Sequence, residues 1–314
     1  MPYISVVTPV YNAVDIVNEL YRQLIENLSK ITDDFEIVMV NDGCKDGSAE
    51  KIAALAEKDK RVKFIDLARN FGQHIAISAG LDYAEGDYVV VMDCDLQDPP
   101  DKIPLLLEKL KESGKEVIFS ERMNRKEKWL KLFYSKAFNF VMRRLTDRIF
   151  YTERNVGNFS IITHKVVLAV RKMREFNRSY FGLVKWCGFD ICFCPIETEA
   201  RFAGNSGYTF IKSLKHAFHI LLQTSVKPLF ISAFFSVLFF LVSLGIAAFI
   251  LYRHFVGGYG VGGYASIMFA ITFISSLVFM TLAVMSVYLA NVFQEQHQRP
   301  LYVIGKSMNV GEKK

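Results

Sequence analysis

Residues 1–120 alternate short runs rich in Val, Ile and Phe with stretches of helical periodicity, and few folds accept that alternation. Strands are expected at Ile4–Thr8, Phe35–Val40, Val62–Leu67, Tyr88–Met92 and Val117–Phe119, with helices at 14–29, 48–59, 73–84 and 101–112 between them. Parallel neighbours need a helical crossover, so the order reads as an α/β fold: a mostly parallel sheet covered on both faces. In open sheets of this kind ligands collect at the C-terminal ends of the strands.

That edge carries the polar residues with the most to say. Asp93-Cys94-Asp95 follows the apolar run Tyr88-Val89-Val90-Val91-Met92. Two carboxylates one residue apart repel unless a positive charge sits between them, and a hard divalent cation such as Mg²⁺ or Mn²⁺ satisfies such a pair. A polar loop after a strand is the plainer reading, because Asp is common in turns. Pro9-Val10-Tyr11-Asn12 ends the first strand and Asn41-Asp42-Gly43 the second, on the same edge. Tyr11 offers a face on which a base can stack, Asp42 an acceptor for a base N–H or a ribose hydroxyl. Gly43 and Gly47 let the chain turn closely around a ligand. Taken singly each is a strand-end turn; three strand ends delivering such groups to one edge describe a site.

The chain has 314 residues, 51% of them hydrophobic, with 27 Phe. The apolar excess lies in two uncharged runs, Leu229 to Tyr252 and Ala265 to Ala290, each long enough to cross a hydrocarbon core of about 30 Å. The link between them is short and Gly-rich, so the pair reads as a two-helix transmembrane hairpin. Lys212, Lys215 and Lys227 precede it and Arg299, Lys306, Lys313 and Lys314 follow it, while the link carries only Arg253 and His254. Cationic flanks stay cytoplasmic, which puts both termini and the α/β domain on the cytoplasmic side of a multi-pass membrane protein. No charged n-region opens the chain, so no signal peptide is expected.

Residues 126–148 read as a basic amphipathic helix, either an ordinary surface helix or one lying on the membrane, and residues 208–225 as a juxtamembrane helix lying in the interface plane. The expected organisation is therefore a domain over 1–207, a juxtamembrane helix over 208–228, the hairpin over 229–290 (229–252 and 265–290) and a cytoplasmic tail over 291–314. The net charge of +6 comes without an aromatic-basic recognition motif, so anionic lipid and phosphorylated substrates are expected rather than nucleic acid. The five cysteines lack Cys-x-x-Cys spacing and read as reduced thiols. Gly258-Tyr259-Gly260-Val261-Gly262-Gly263 matches a dinucleotide fingerprint but follows an apolar span rather than a strand, so it fails its context.

Four segments together carry a family resemblance: Ile4 to Asn12 (ISVVTPVYN), Val40 to Ser48 (VNDGCKDGS), Arg69 to Gln73 (RNFGQ) and Asp93 to Pro100 (DCDLQDPP). With them the chain resembles GT-A glycosyltransferases of family 2, and within these the polyprenyl-phosphate glycosyltransferases, the group of dolichyl-phosphate mannose synthase and bactoprenol glucosyltransferase. The likeness extends over Ser225-Val-Lys-Pro-Leu229 and Gln298-Arg-Pro-Leu-Tyr302 and covers nearly the whole chain. It implies a GT-A catalytic domain that moves a sugar from a nucleotide sugar to polyprenyl phosphate. UDP-glucose or a related UDP-hexose is the first expectation, GDP-mannose the second, and a homotetramer is suggested.

The same resemblance implies roles. Asp93, Asp95 and Gln97 would hold Mg²⁺ or Mn²⁺ against the diphosphate. Pro9, Tyr11, Asn12, Asp42, Arg69 and Gln73 would line the nucleotide-sugar pocket with Asp93. Arg122 and Arg201 would grip phosphates beside Ser206, as the planar guanidinium fork suits. This chain departs from the pattern at Ala13, where Glu is frequent, at Gly207, where Lys is usual, and at Gly157-Asn158-Phe159-Ser160, where some members carry Gly-Asp-Phe-Arg. Lys131 or Lys136 would then supply an acceptor-phosphate cation, and a base proposed for that last segment would be missing. Processive polysaccharide synthases on this fold carry a Gln-x-x-Arg-Trp motif that is absent here. A non-catalytic sugar-nucleotide-binding scaffold is the reading from another class.

Overall fold

The computed structural model describes residues 2–123, 154–176, 178–197 and 263–311, together with part of the stretch 229–252. These fall into two units, one formed by the residues before 198 with those from Arg299 onward, the other by the apolar region that ends at Gln298.

The first unit is a three-layer α/β/α domain. Its elements run β1 (Ile4–Val10), α1 (Val17–Leu28), β2 (Phe35–Asn41), α2 (Ser48–Lys58), β3 (Val62–Leu67), α3 (Gln73–Tyr83), β4 (Tyr88–Val91), α4 (Ile103–Ser113), β5 (Val117–Met123), β6 (Val156–Thr163), α5 (His164–Lys172), α6 (Tyr180–Trp186) and β7 (Ile191–Glu197). A last strand, β8 (Ile304–Met308), comes from the far end of the chain. The eight strands form one sheet in the order β7-β5-β6-β4-β1-β2-β3-β8. β1 to β4 are mutually parallel, as their crossover helices require, and β5 and β7 are parallel to each other. β6 and β8 run antiparallel to their neighbours. The sheet is thus mixed and Rossmann-like.

Apolar residues cover both faces. Val6, Leu20, Leu24, Ile52, Leu106 and Leu110 pack on the side of α1, α2 and α4. Val7, Val38, Ile77, Val166, Val167 and Leu183 pack on the side of α3, α5 and α6. β1 and β2 are buried along their whole length, which is why they read as unbroken apolar runs. β1 and β5 run further than their sequences suggest. Pro9 and Val10 stay in register with Val40 and Asn41. Ser120, Glu121 and Arg122 continue β5 because β7 pairs beside them, Arg122 opposite Ile196.

The segment 299–311 belongs to this unit. β8 pairs with β3, the Ala68 N–H donates to Val303 O at 2.9 Å, and Asn309 Nδ2 donates to Ala56 O and Val62 O. Tyr302 Oη donates to the buried carboxylate of Asp82 at 2.6 Å, which also takes two hydrogen bonds from Arg174. The expected tail therefore includes an edge strand of the sheet.

In the second unit α7 (Tyr264–Gln296) is a single helix of 33 residues, six longer at its C-terminal side than the expected span to Ala290. Its apolar side chains face outward on every side: Ile274, Phe279, Met280 and Leu289 are all exposed. Over Phe273–Phe293 it is long and apolar enough to cross a membrane, and it is the one such helix among the described residues. The described residues between 229 and 252 are helical too, with Phe230, Phe234, Leu241 and Phe249 exposed.

Candidate active site

Six chain segments meet at one edge of the sheet. β1, β2, β3 and β4 end there, β5 reaches it with Arg122, and the antiparallel β6 begins there with Val156, Gly157 and Asn158. The functional side chains expected from the sequence arrive along these ends.

Asp42 follows β2 and is buried, and both its oxygens accept hydrogen bonds from backbone, Phe71 N at 2.7 Å and Gly72 N at 3.0 Å. Burial pushes its carboxyl above the usual range, against the pull of those two N–H groups and of Arg69. Asp42 thereby shapes the loop 68–72 that precedes α3. Gly43 makes the approach possible: at φ +62 a Cβ would lie 2.2 Å from the Arg69 carbonyl carbon. Arg69 stacks its guanidinium over Phe71, 4.1 Å from the ring centre. Tyr11 stands half exposed at the end of β1. Asn12 adopts φ 51 and accepts from Cys44 Sγ at 2.9 Å. Asp46 is held down at about 2, despite some burial, by donors from Cys44, Ser48 and Val14. Burial pushes the Cys94 thiol up to about 12, so it is a neutral thiol between the two aspartates.

Asp93 is held from two sides. Its Oδ1 accepts from Gln73 Nε2 at 2.7 Å and from Asn158 Nδ2 at 3.0 Å. Burial raises its carboxyl, Asn158 pulls it back, and the negative charges of Asp95 and Asp98 raise it further. The Asp95 carboxylate accepts from Gln97 N at 3.1 Å, closing a turn in which Leu96 takes φ 57. Oxygen donors that repel one another at the end of a buried strand fit a hard divalent cation. Among the described residues no group of three or more His, Cys, Asp or Glu side chains is placed to hold a metal ion by itself.

Two contacts in this arrangement are absent from the sequence reading, in which Gly157 and Asn158 figure only as a departure from the family pattern. The first is Asp98, fully buried and paired with Arg122 Nη2 at 2.6 Å. Burial opposes the Arg122 charge, but Asp98 and the fields of Asp93 and Asp95 outweigh it and hold the guanidinium above its ordinary value. The second is Gly157-Asn158, which lies against both charges. A Cβ on Gly157 would stand 3.0 Å from Arg122 Nη2, so the glycine makes room for the guanidinium while its neighbour reaches Asp93. Asp98 sits in the quoted segment DCDLQDPP, yet nothing local tells it from an exposed turn residue. Its partner is 24 residues away.

The structure thus brings Tyr11, Asn12, Asp42, Arg69, Gln73, Asp93, Asp95, Gln97 and Arg122 to one edge, with Pro9 buried in β1 beneath them. Lys131, Lys136, Arg201 and Ser206 lie outside the described residues, as do the helices expected over 126–148 and 208–225.

An α/β sheet that gathers a carboxylate pair and an arginine at the C-terminal ends of its strands is built as a ligand-binding edge. The description "Glycosyl transferase family 2" matches residues 5–179, and the chain belongs to that family. It is a glycosyltransferase. Its relatives include an uncharacterized glycosyltransferase, sll0501, of Synechocystis, 35% identical across 96% of this chain and 94% of the relative. The bactoprenol glucosyl transferase of Shigella phage SfII is 31% identical across 97% of this chain and 98% of its own length. Among solved structures, the mannosyltransferase PcManGT of Pyrobaculum calidifontis, in complex with GDP-Man and Mn²⁺, aligns with TM-score 0.47 and 14% identity over 95% of this chain and 88% of that one.

Proposed function

We propose that this protein is a membrane-bound inverting glycosyltransferase that moves a hexose from a nucleotide diphosphate sugar, UDP-glucose first among them, to a polyprenyl phosphate. The observation that carries the acceptor class is the near end-to-end match to a bactoprenol glucosyl transferase, which includes the apolar region and the C-terminal strand. Tyr11, Asn12, Asp42 and Arg69 form the nucleoside side of the edge, and Asp93 and Asp95 its diphosphate side. Asp93 and Asp95 would hold Mg²⁺ or Mn²⁺, with Gln97 beside them. When bound, the ion offsets the charge that develops on the leaving nucleotide diphosphate.

The protein's own groups do the rest. Arg122, kept charged and aimed by Asp98, meets phosphate oxygens with its planar fork. A phosphate monoester has a second pKa of about 6 and is mostly dianionic at neutral pH. It needs no base to become a nucleophile, so an amide at Asn158 is compatible with single-displacement transfer. The task left to the enzyme is to position that phosphate and stabilise the departing diphosphate.

The chain's connectivity supports a hairpin anchor. β8 follows α7 and lies in the same sheet as β1 to β7. A chain whose two ends share one sheet crosses a bilayer an even number of times. With α7 as one crossing, the uncharged run 229–252 supplies the other, and the cationic flanks favour the cytoplasmic side for the catalytic unit. Such an anchor suits an acceptor whose tail leaves the bilayer at a cost of about 0.8 kcal/mol per CH₂.

The test is purified protein in detergent with undecaprenyl phosphate, Mg²⁺ or Mn²⁺, and UDP-glucose, UDP-galactose, UDP-GlcNAc or GDP-mannose in turn, reading nucleotide diphosphate release. Release that requires lipid and metal with one donor is the expected result, lost in a folded Asp95→Ala variant. An active Asp95→Ala variant overturns the metal reading, and no release with any donor overturns the transfer.

A further inference from the structure

Asp93 is gripped from two sides, and we propose that Gln73 and Asn158 form an amide clamp that sets the orientation of this carboxylate, making both of them positioning residues for the divalent cation. The inference rests on the reading that Asp93 binds that cation.

Both amides donate to the same oxygen. Gln73 Nε2 lies 2.7 Å and Asn158 Nδ2 3.0 Å from Asp93 Oδ1. An ionised carboxylate only accepts, so each amide turns its nitrogen toward it. Each oxygen has about two lone-pair sites, and the two amides occupy those of Oδ1. Oδ2 is then the oxygen that would hold a cation, with the carboxylate oriented by two donors on Oδ1.

The clamp is anchored in the framework. Asn158 is the third residue of β6, which pairs with β4 in the register Val91 with Ser160, so strand pairing brings residue 158 alongside residue 93. Gln73 is the first residue of α3, whose following residues Ile75 to Asp82 are buried. The loop before it is tied to Asp42 through the N–H groups of Phe71 and Gly72. One short segment therefore fixes Asp42 on the nucleoside side and Gln73 on the cation side.

The chemistry of residue 158 matters. An aspartate there would face Asp93 with a second acceptor and no proton to offer, in a corner that already holds Asp95 and Asp98. The asparagine supplies the donor without adding charge. Groups that orient a metal ligand in this way typically change metal affinity about 10- to 100-fold when removed.

The experiment uses the full-length protein in detergent and the shape-preserving variants Asn158→Leu, Gln73→Met and the double variant. Asn158→Ala and Gln73→Ala serve in their place where an apolar replacement fails to fold. Free Mn²⁺ is followed by electron paramagnetic resonance in the presence of UDP or GDP, and binding of the same nucleotides in EDTA by calorimetry. The expected result is a Kd for Mn²⁺ raised about 10-fold in each single variant and further in the double variant, with metal-free nucleotide affinity unchanged in Asn158→Leu and a cooperative melting transition retained in all three. Unchanged Mn²⁺ affinity in the double variant overturns the clamp. Equal loss of metal-free nucleotide binding in Gln73→Met overturns it too, since Gln73 then touches the nucleotide directly. A wild-type protein that binds no Mn²⁺ with either nucleotide refutes the metal reading itself, and the clamp falls with it before any variant is compared.

Discussion

Replacing Asp98 with asparagine separates the charge that holds Arg122 from the space it fills. Asp98 is completely buried, and Arg122 Nη2 reaches its Oδ2 at 2.6 Å while the Arg122 side chain stays 23% exposed. Removing one partner of a fully buried pair costs about 3–5 kcal/mol, because the other charge is left uncompensated. Two features lower that figure. The asparagine carbonyl still accepts the hydrogen bond, and Asp93 and Asp95 remain as more distant negative charges. What is lost is the charge-assisted part of one hydrogen bond, about 1 kcal/mol. For a domain of this size each 1 kcal/mol shifts the melting temperature by about 2–4 °C, so Asp98→Asn is expected to melt about 2–4 °C lower. Its turnover should fall further than its stability suggests, since a 1 Å displacement of a phosphate-binding group costs about 10²-fold. Differential scanning fluorimetry in detergent reads the first effect and nucleotide diphosphate release, well below the melting temperature, reads the second. An Asp98→Asn protein with wild-type melting and wild-type turnover would refute both the energetic argument and the role given to Arg122.

Two further variants probe the frame around the site. Gly43→Ala places a Cβ 2.2 Å from the Arg69 carbonyl carbon at φ +62, so it should cost at least about 2 kcal/mol and displace the loop that Asp42 organises, weakening nucleotide binding in calorimetry. Tyr302→Phe removes a 2.6 Å donor from the buried Asp82 but leaves both Arg174 bonds, so a loss of about 1 kcal/mol is expected. Limited proteolysis should show faster cleavage between 297 and 303, and unchanged protection would mean that β8 pairing alone holds the segment.

Much of the domain is legible in the sequence because its central strands are buried on both faces. β1, β2 and β4 are mostly apolar, whatever surrounds them, so the runs Ile4 to Thr8, Phe35 to Val40 and Tyr88 to Met92 announce themselves locally. The residues just past them are then at the ligand edge by topology alone, which is how Tyr11, Asp42 and Asp93 come into view. The uncharged runs announce themselves for a related reason, since a bilayer-length apolar stretch needs no partner to be recognised.

Tertiary structure decided what depends on pairing across the chain. β8 is short, polar and mostly exposed, and it is a strand only because β3 presents a free edge to it. β6 lies antiparallel between β4 and β5, an insertion that no alternation pattern encodes. The contacts at the site have the same origin. Asn158 meets Asp93 across 65 residues and Gln73 meets it across 20, while Asp98 becomes a buried charge only because Arg122 arrives from β5. A side chain's local sequence sets its chemistry, donor, acceptor or charge. Which partner satisfies it is a property of the sheet that folding assembles.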